Sequence, residues 1–561
     1  MVAAPGTNAA PPLVRPLPVA AMTIIATPEL KRIFPGVPTS GDWKKFSEDS
    51  ETITIAPFPD LPITFVRDSV KQDGKWTTWI GRAPSMPGAT LVTEATGQGY
   101  DAILVVPGSD QFSWHISTNG AIASSEVNPA TESCAVDFCY NPKADRVGAS
   151  NPAVDAKSFM ATSITVNGQE SILRPLADTS GAAVVDVLFL YDSAMLTAAS
   201  GLTIDAVTFL DGLNKGIIDT ANVALNQSGV TSFVWHYRGQ EAAPDYTETA
   251  DLADDLTQME TGSLSAFVNQ KRSAYGADQV FLWRGYTPGL KFAGIANSAL
   301  GTPVSVKYSC AVGVVGSSYH LVAHELAHNF GCQHDRAHAG DANVGVADGD
   351  GHYYYGYLWT APGTPYSIGT IMSYGTSIIP YFSNPAISAD ITSAGTDTSG
   401  LNIDLGIIPV GFPDTDPKAA DNVKVLNTNG VAMSLHVDAV SAPAITIQPS
   451  NASVQIGNNL SVSVTATGGN LNYQWLFGGA PISGATSASY SKPALAGDGG
   501  TYTVTITNMM GSITSSPATV TVTAPPPPPP PSSSGGGGAT SNWFMGILAA
   551  LGFSRWRRAR R

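Results

Sequence analysis

The stretch His324-Glu325-Leu-Ala-His328-Asn-Phe-Gly331-Cys-Gln-His334-Asp335 gathers residue types that hold and use a metal ion. On an α-helix His324 and His328 lie one turn apart on one face, so both imidazoles can reach one cation. Glu325 is rotated by ~100° from His324, which leaves it beside the metal as a general base rather than a ligand. Gly331 can adopt φ > 0 and stop the helix where the chain must turn. The turn brings His334 round as a third ligand. Three histidines leave the fourth tetrahedral position open for water, as a catalytic zinc requires. The expected cofactor is therefore one Zn2+. His320 also lies one turn before His324, but the glutamate follows His324, so His320 is read as a bystander.

These residues need a frame. Val184–Tyr191 is a continuous apolar run of the kind that fills a buried central strand. An amphipathic segment follows at Thr203–Gln227, then a strand-like Thr231–Arg238. A second helical stretch is expected over Leu252–Tyr275, then strands at Asp278–Tyr286, Phe292–Leu300 and Lys307–Val315. Alternation of this kind predicts an α/β unit on a mixed sheet that ends at the metal-motif helix. Beyond it comes Thr370-Ile-Met372-Ser-Tyr374, whose methionine is 38 residues after His334. A thioether there can pack beneath the imidazoles without competing for zinc.

HELAHNFGCQHD together with IMSY and Tyr381-Phe-Ser-Asn-Pro385 resembles the bacterial reprolysin-like metzincins, close to the peptidyl-Asp metallopeptidases, over roughly residues 184–435. The resemblance implies a zincin-like (metzincin) α/β catalytic domain over 182–440 and a zinc metalloendopeptidase acting on protein or peptide substrates. It implies a structural role for Asp335. The M-x-Y spacing of Met372 and Tyr374 is similar to that of astacins and serralysins, where the tyrosine reaches the metal or the oxyanion, so Tyr374 is expected to stabilise the transition state. It also implies that Gly294-Ile-Ala296 is the centre of an edge strand lining the cleft, along which an extended peptide would add by β-augmentation.

Around this domain, residues 1–181 contain short β-branched and aromatic runs from about Thr52 to Thr118 and no catalytic cluster, and read as a β-rich pro-region of a zymogen. Residues 442–523 show short alternating runs at regular spacing and resemble an immunoglobulin-like sandwich, with Trp475 as its buried strand tryptophan. Asp498-Gly-Gly-Thr-Tyr502 matches the tyrosine corner, and Val464 and Val504 stand where the disulfide cysteines of such domains would be. A Pro/Ser/Gly linker occupies 524–542. The last segment, 543–561, is an apolar run followed by arginines and resembles a Gly-Gly-type C-terminal sorting signal. That predicts a partner in the sorting machinery and a secreted or surface location in a bacterium.

The net charge of −15 argues against a nucleic-acid partner. The four cysteines suggest two pairs, Cys134–Cys139 and Cys310–Cys332. Asp341, Asp348 and Asp350 could bind Ca2+, but their spacing matches no calcium loop and a solvated acidic loop is the better reading. The competing class is a surface adhesin that keeps the metzincin scaffold. Every catalytic position is intact, which favours the enzyme.

Overall fold

The computed structural model describes residues 43–526 apart from several internal stretches, the longest being 139–158, 193–205, 340–351 and 394–403, and describes neither 1–42 nor 527–561. The pairing of Cys134 with Cys139, the three aspartates of the acidic loop and the C-terminal tail lie outside the described residues. Among the described residues no helix is long and apolar enough to cross a membrane.

Two compact units are present. The first comprises Met1–Ala442 with two short pieces, Gly468–Asn470 and Asn508–Gly511. Its described residues begin with helix α1 (Trp43–Asp49) and an antiparallel sheet of β1 (Thr52–Phe58), β2 (Leu61–Asp73), β3 (Trp76–Arg82), β4 (Thr90–Ala95), β5 (Gly99–Val105), β6 (Gln111–Ser117) and β7 (Ile122–Val127), each paired with the next in sequence order. One face of this meander encloses its own core around Phe65, Trp79, Leu91, Tyr100 and Leu104. Alternation along β5 sends Ile103 and Val105 to the opposite face.

Next come β8 (Cys134–Phe138), β9 (Phe159–Val166) and β10 (Gln169–Ser171), and then the predicted α/β alternation: β11 (Ala183–Asp192), α2 (Ala206–Ser228), β12 (Phe233–Ala243), α3 (Leu252–Glu260), α4 (Ser265–Tyr275), β13 (Gln279–Arg284), β14 (Gly294–Ser298), β15 (Cys310–Val314) and α5 (Tyr319–Asn329). The sheet order is β12-β11-β13-β15-β14-β8. The four strands β12, β11, β13 and β15 are mutually parallel. β14 runs antiparallel to β15 and takes β8 as a parallel neighbour on its outer edge. The expected edge strand thus exists, but its edge is filled by the chain's own Cys134–Phe138.

The sheet divides two cores. Val185, Val187 and Phe189 of β11 pack with α2 and α5 on one face, while Leu188 and Leu190 pack with α3 on the other. The single helix expected over Leu252–Tyr275 is two helices. Asp251 caps α3 by accepting from the Ala253 amide, and the turn at Thr261–Ser263 is held by the Gln258 side chain, which accepts from the Ser263 amide. A Cβ at Gly262 would come within 2.8 Å of the Gln258 Cα, so the turn needs glycine there.

The expected Cys310–Cys332 disulfide does not form: both thiols are free and buried. Strand parity is the reason. Cys310 alternates with Ala311 on β15, which puts Cys310 in one core while Cys332, just past α5, lies in the other. Burial raises both thiols above the usual range, Cys310 to about 11.

After α5 the first unit continues with β16 (Gln333–Asp335), β17 (Tyr355–Gly356), β18 (Leu358–Thr360), β19 (Ser367–Gly369), β20 (Ser377–Ile378), β21 (Asn384–Ser393), β22 (Asp404–Val410) and α6 (Asn422–Met433). β9 and β10 join β21 and β22 in an antiparallel sheet of order β10-β9-β21-β22.

The second unit comprises Pro443–Thr467, Leu471–Thr507 and the residues from Ser512, and its described residues form β-strands with one short 3-10 turn at Ala496–Asp498. Trp475 is fully buried at its centre with Val464, Tyr502 and Val504. The indole Nε1 donates to Ser487 O at 2.9 Å, and the Tyr502 hydroxyl donates to Asp498 O at 3.0 Å.

Candidate metal centre

Helix α5 is buried along its whole length. Its end is fixed to the sheet: Asn329 Nδ2 donates to Asn297 O and Cys310 O, and Gln279 Nε2 donates to Leu326 O at 3.0 Å. The helix stops at Asn329, and Gly331 turns the chain at φ +100°. Glycine is required there twice over, since a Cβ would also lie 2.5 Å from the backbone N and O of Thr302. The strand β16 that follows carries His334 and Asp335.

One ligand atom from each of His324, His328 and His334 can be chosen so that all lie within 4.8 Å of one another. His328 Nε2 and His334 Nε2 are 3.2 Å apart. The other ring nitrogens face backbone carbonyls. His324 Nδ1 donates to Ile371 O at 2.6 Å, His328 Nδ1 donates to Cys332 O at 2.8 Å, and His334 Nδ1 faces His338 O at 3.4 Å. A carbonyl can only accept, so the first two contacts place the proton on Nδ1 and leave the Nε2 lone pair toward the shared point.

Burial, with neighbouring imidazoles adding to it at His324 and His334, lowers all three pKa values, that of His328 to about 4. The rings are therefore neutral at pH 7, the form that binds a metal. Three neutral, buried and outwardly tethered imidazoles fit a zinc ion. His320 is buried one turn earlier and is not part of the converging set.

Glu325 is fully buried and lies against β14: a Cβ on Gly294 would fall 2.4 Å from Glu325 Oε1. The glycine that opens the edge strand thus makes room for the carboxylate. Met372 is fully buried in the core shared with α5, and the residue before it supplies the carbonyl that orients His324. The Tyr374 hydroxyl lies 3.2 Å from His334 Nε2, so it reaches the point on which the imidazoles converge.

Asp335 ties these pieces together. Its carboxylate accepts from the Tyr374 amide at 3.0 Å, from the Ala337 amide at 3.1 Å and from His338 Nδ1 at 2.8 Å. The His338 ring meets the Tyr374 ring edge-on, with centroids 5.2 Å apart. Sequence reasoning missed His338. Its i+3 spacing from Asp335 was the available signal. It also missed Gln111 of β6, whose Oε1 accepts from the Tyr319 amide at the first residue of α5 at 2.7 Å. A contact 208 residues away in sequence leaves no local mark.

Residues 182–384 match the Reprolysin_5 model of metallo-peptidase family M12. That match supports a metzincin-like protease. The chain is also 40% identical over 96 residues to the decoration protein of Escherichia phage T5, covering 16% of this chain and 58% of that protein. The chain thus spans somewhat more than half the length of that relative. Among solved structures it is similar to a chimeric titin Z1Z2 functionalised with a KLER exogenous peptide from decorin, at 26% identity over 15% of this chain and 99% of the other, with a TM-score of 0.14. A titin M10–obscurin-like 1 Ig complex matches at 24% identity over 16% of this chain and 99% of that one, also with a TM-score of 0.14.

Proposed function

We propose that this protein is a zinc metalloendopeptidase in which His324, His328 and His334 hold the ion and Glu325 is the general base. The observation that carries the reading is the convergence of three buried imidazoles on one point with a buried carboxylate beside them and outside the ligand set. Zinc, when bound, supplies a Lewis acid for the scissile carbonyl and lowers the pKa of water to about 7.

The chain's own groups do the rest. Ile371 O and Cys332 O hold the rings of His324 and His328 in the ligating tautomer. Glu325 takes the proton of the attacking water and passes it to the leaving amine. The Tyr374 hydroxyl, clamped through its backbone by Asp335, donates to the oxyanion as it forms.

Secretion or surface display by way of the arginine-rich tail belongs to the same proposal. The test is digestion of denatured casein, which should be lost with a chelator and restored by zinc. A chain that binds zinc but cuts neither casein nor a mixed peptide library would point instead to a binding protein on a metzincin scaffold.

A further inference from the structure

The first 181 residues read as a pro-region in sequence, a segment to be shed. Their contacts are not those of a detachable cover. The seven-stranded sheet lies on helix α2 through two glycines one turn apart, Gly212 and Gly216. A Cβ at Gly212 would fall 2.1 Å from Asp101 Oδ2 of β5, and one at Gly216 would fall 3.0 Å from Ile103 Cδ1.

Between them Lys215 is buried. It pairs with Asp219, and its Nζ lies 3.3 Å from Thr78 Oγ1 and 3.9 Å from Glu94 Oε1 of the sheet. Ile103 and Val105 share one core with Phe209 and Leu213 of α2 and with Tyr319 and Val322 of the metal-site helix. A charged lysine is buried only against committed partners.

Backbone pairing makes the same point twice more. β8 hydrogen-bonds along β14 over five residues, Gly294↔Cys134 to Ser298↔Phe138. β9 pairs with β21, from Ile387↔Val166 to Ser393↔Phe159. The Gln111 side chain, itself buried, closes the set by accepting from the first amide of α5. Helix N-termini leave amides without intrahelical partners, and this one is satisfied from the N-terminal sheet.

We propose that the N-terminal sheet is a permanent half of the protease unit, held by contacts rather than by chain connection, and that Gln111 is a positioning residue for the helix carrying His324, Glu325 and His328. The inference rests on the protease reading above, so zinc content and activity of the uncut chain are measured first. Their failure counts against that reading and not against this one.

The test uses the full chain with a specific protease site inserted within 140–157. After cutting, the two pieces should co-elute at a 1:1 ratio with one zinc per pair, and should part only in denaturant. Separation under native conditions, or precipitation of either piece, overturns the proposal. In the uncut chain, Gln111→Leu should speed amide exchange at the start of α5 and lower kcat about three- to tenfold with KM unchanged. Gln111→Glu keeps an acceptor oxygen at a helix N-terminus and should restore both. An unchanged exchange rate and kcat in Gln111→Leu, or a Gln111→Glu variant as impaired as it, removes Gln111 from the role.

Discussion

Replacing Gly294 by alanine should disable the base without touching the metal. The added Cβ would sit 2.4 Å from Glu325 Oε1, 2.9 Å from its carboxyl carbon and 3.0 Å from its Cγ. Ordinary contact needs about 3.5 Å, so the carboxylate must retreat by roughly 1 Å. No rotation of the alanine relieves this, because Cβ is fixed by the backbone. Gly294 is not in the left-handed region, so alanine adds no backbone strain there. A displacement of about 1 Å in a reacting group can cost on the order of a hundredfold in rate, which corresponds to about 2.7 kcal/mol in activation free energy. The assay is kcat/KM on a fluorogenic peptide, with zinc per chain and melting temperature measured on the same preparation. The expected result is a drop of about a hundredfold in kcat/KM at one zinc per chain. If kcat/KM is unchanged, the carboxylate beside Gly294 is not the base, or its place is not set by β14.

Tyr374→Phe should keep zinc and lower kcat by about ten- to a thousandfold; an unchanged kcat would reduce the tyrosine to a packing residue. His236 sits between Asp186 and Asp73, and hydrogen bonds to both, outweighing burial, raise its pKa to about 9. Its folded-state pKa is above the unfolded value, so its stabilisation is complete below about pH 6.5 and is lost as pH rises through about 9. Melting temperature should therefore fall across that window in the native chain, and His236→Gln should remove that component of the fall; an identical profile in both would assign it to other groups. A chain ending at Ala442 should retain zinc and activity on a small peptide, because the second unit has its own core around Trp475. A zinc-free or unfolded product would make that unit part of the catalytic fold.

The site was the most legible part of the sequence because its logic is local. Helical periodicity places His324 and His328, a glycine marks the turn, and Met372 and Tyr374 stand a short interval beyond. The edge strand was also readable, although it begins at Gly294 rather than centring on Gly294–Ala296. The strand pairings of residues 1–181 were not. β8 meets β14 and β9 meets β21 across more than 150 residues of chain, and nothing in a short β-branched run says which edge it will join. Gly212 and Gly216 read as weak points of a helix, each disfavoured by about 1 kcal/mol relative to alanine; only the sheet pressed against them explains their presence. The Cys310–Cys332 expectation failed for a reason visible in principle, since alternation along β15 sends Cys310 away from the face on which Cys332 lies.

Metal binding and proton transfer fall to different residues, and Glu325→Gln separates the two. Peptide-bond cleavage by native protein and by this variant is compared at matched zinc content. Both should hold one zinc per chain, and only the native protein should cleave. A variant that still cleaves, or one that no longer holds zinc, would contradict that division of roles.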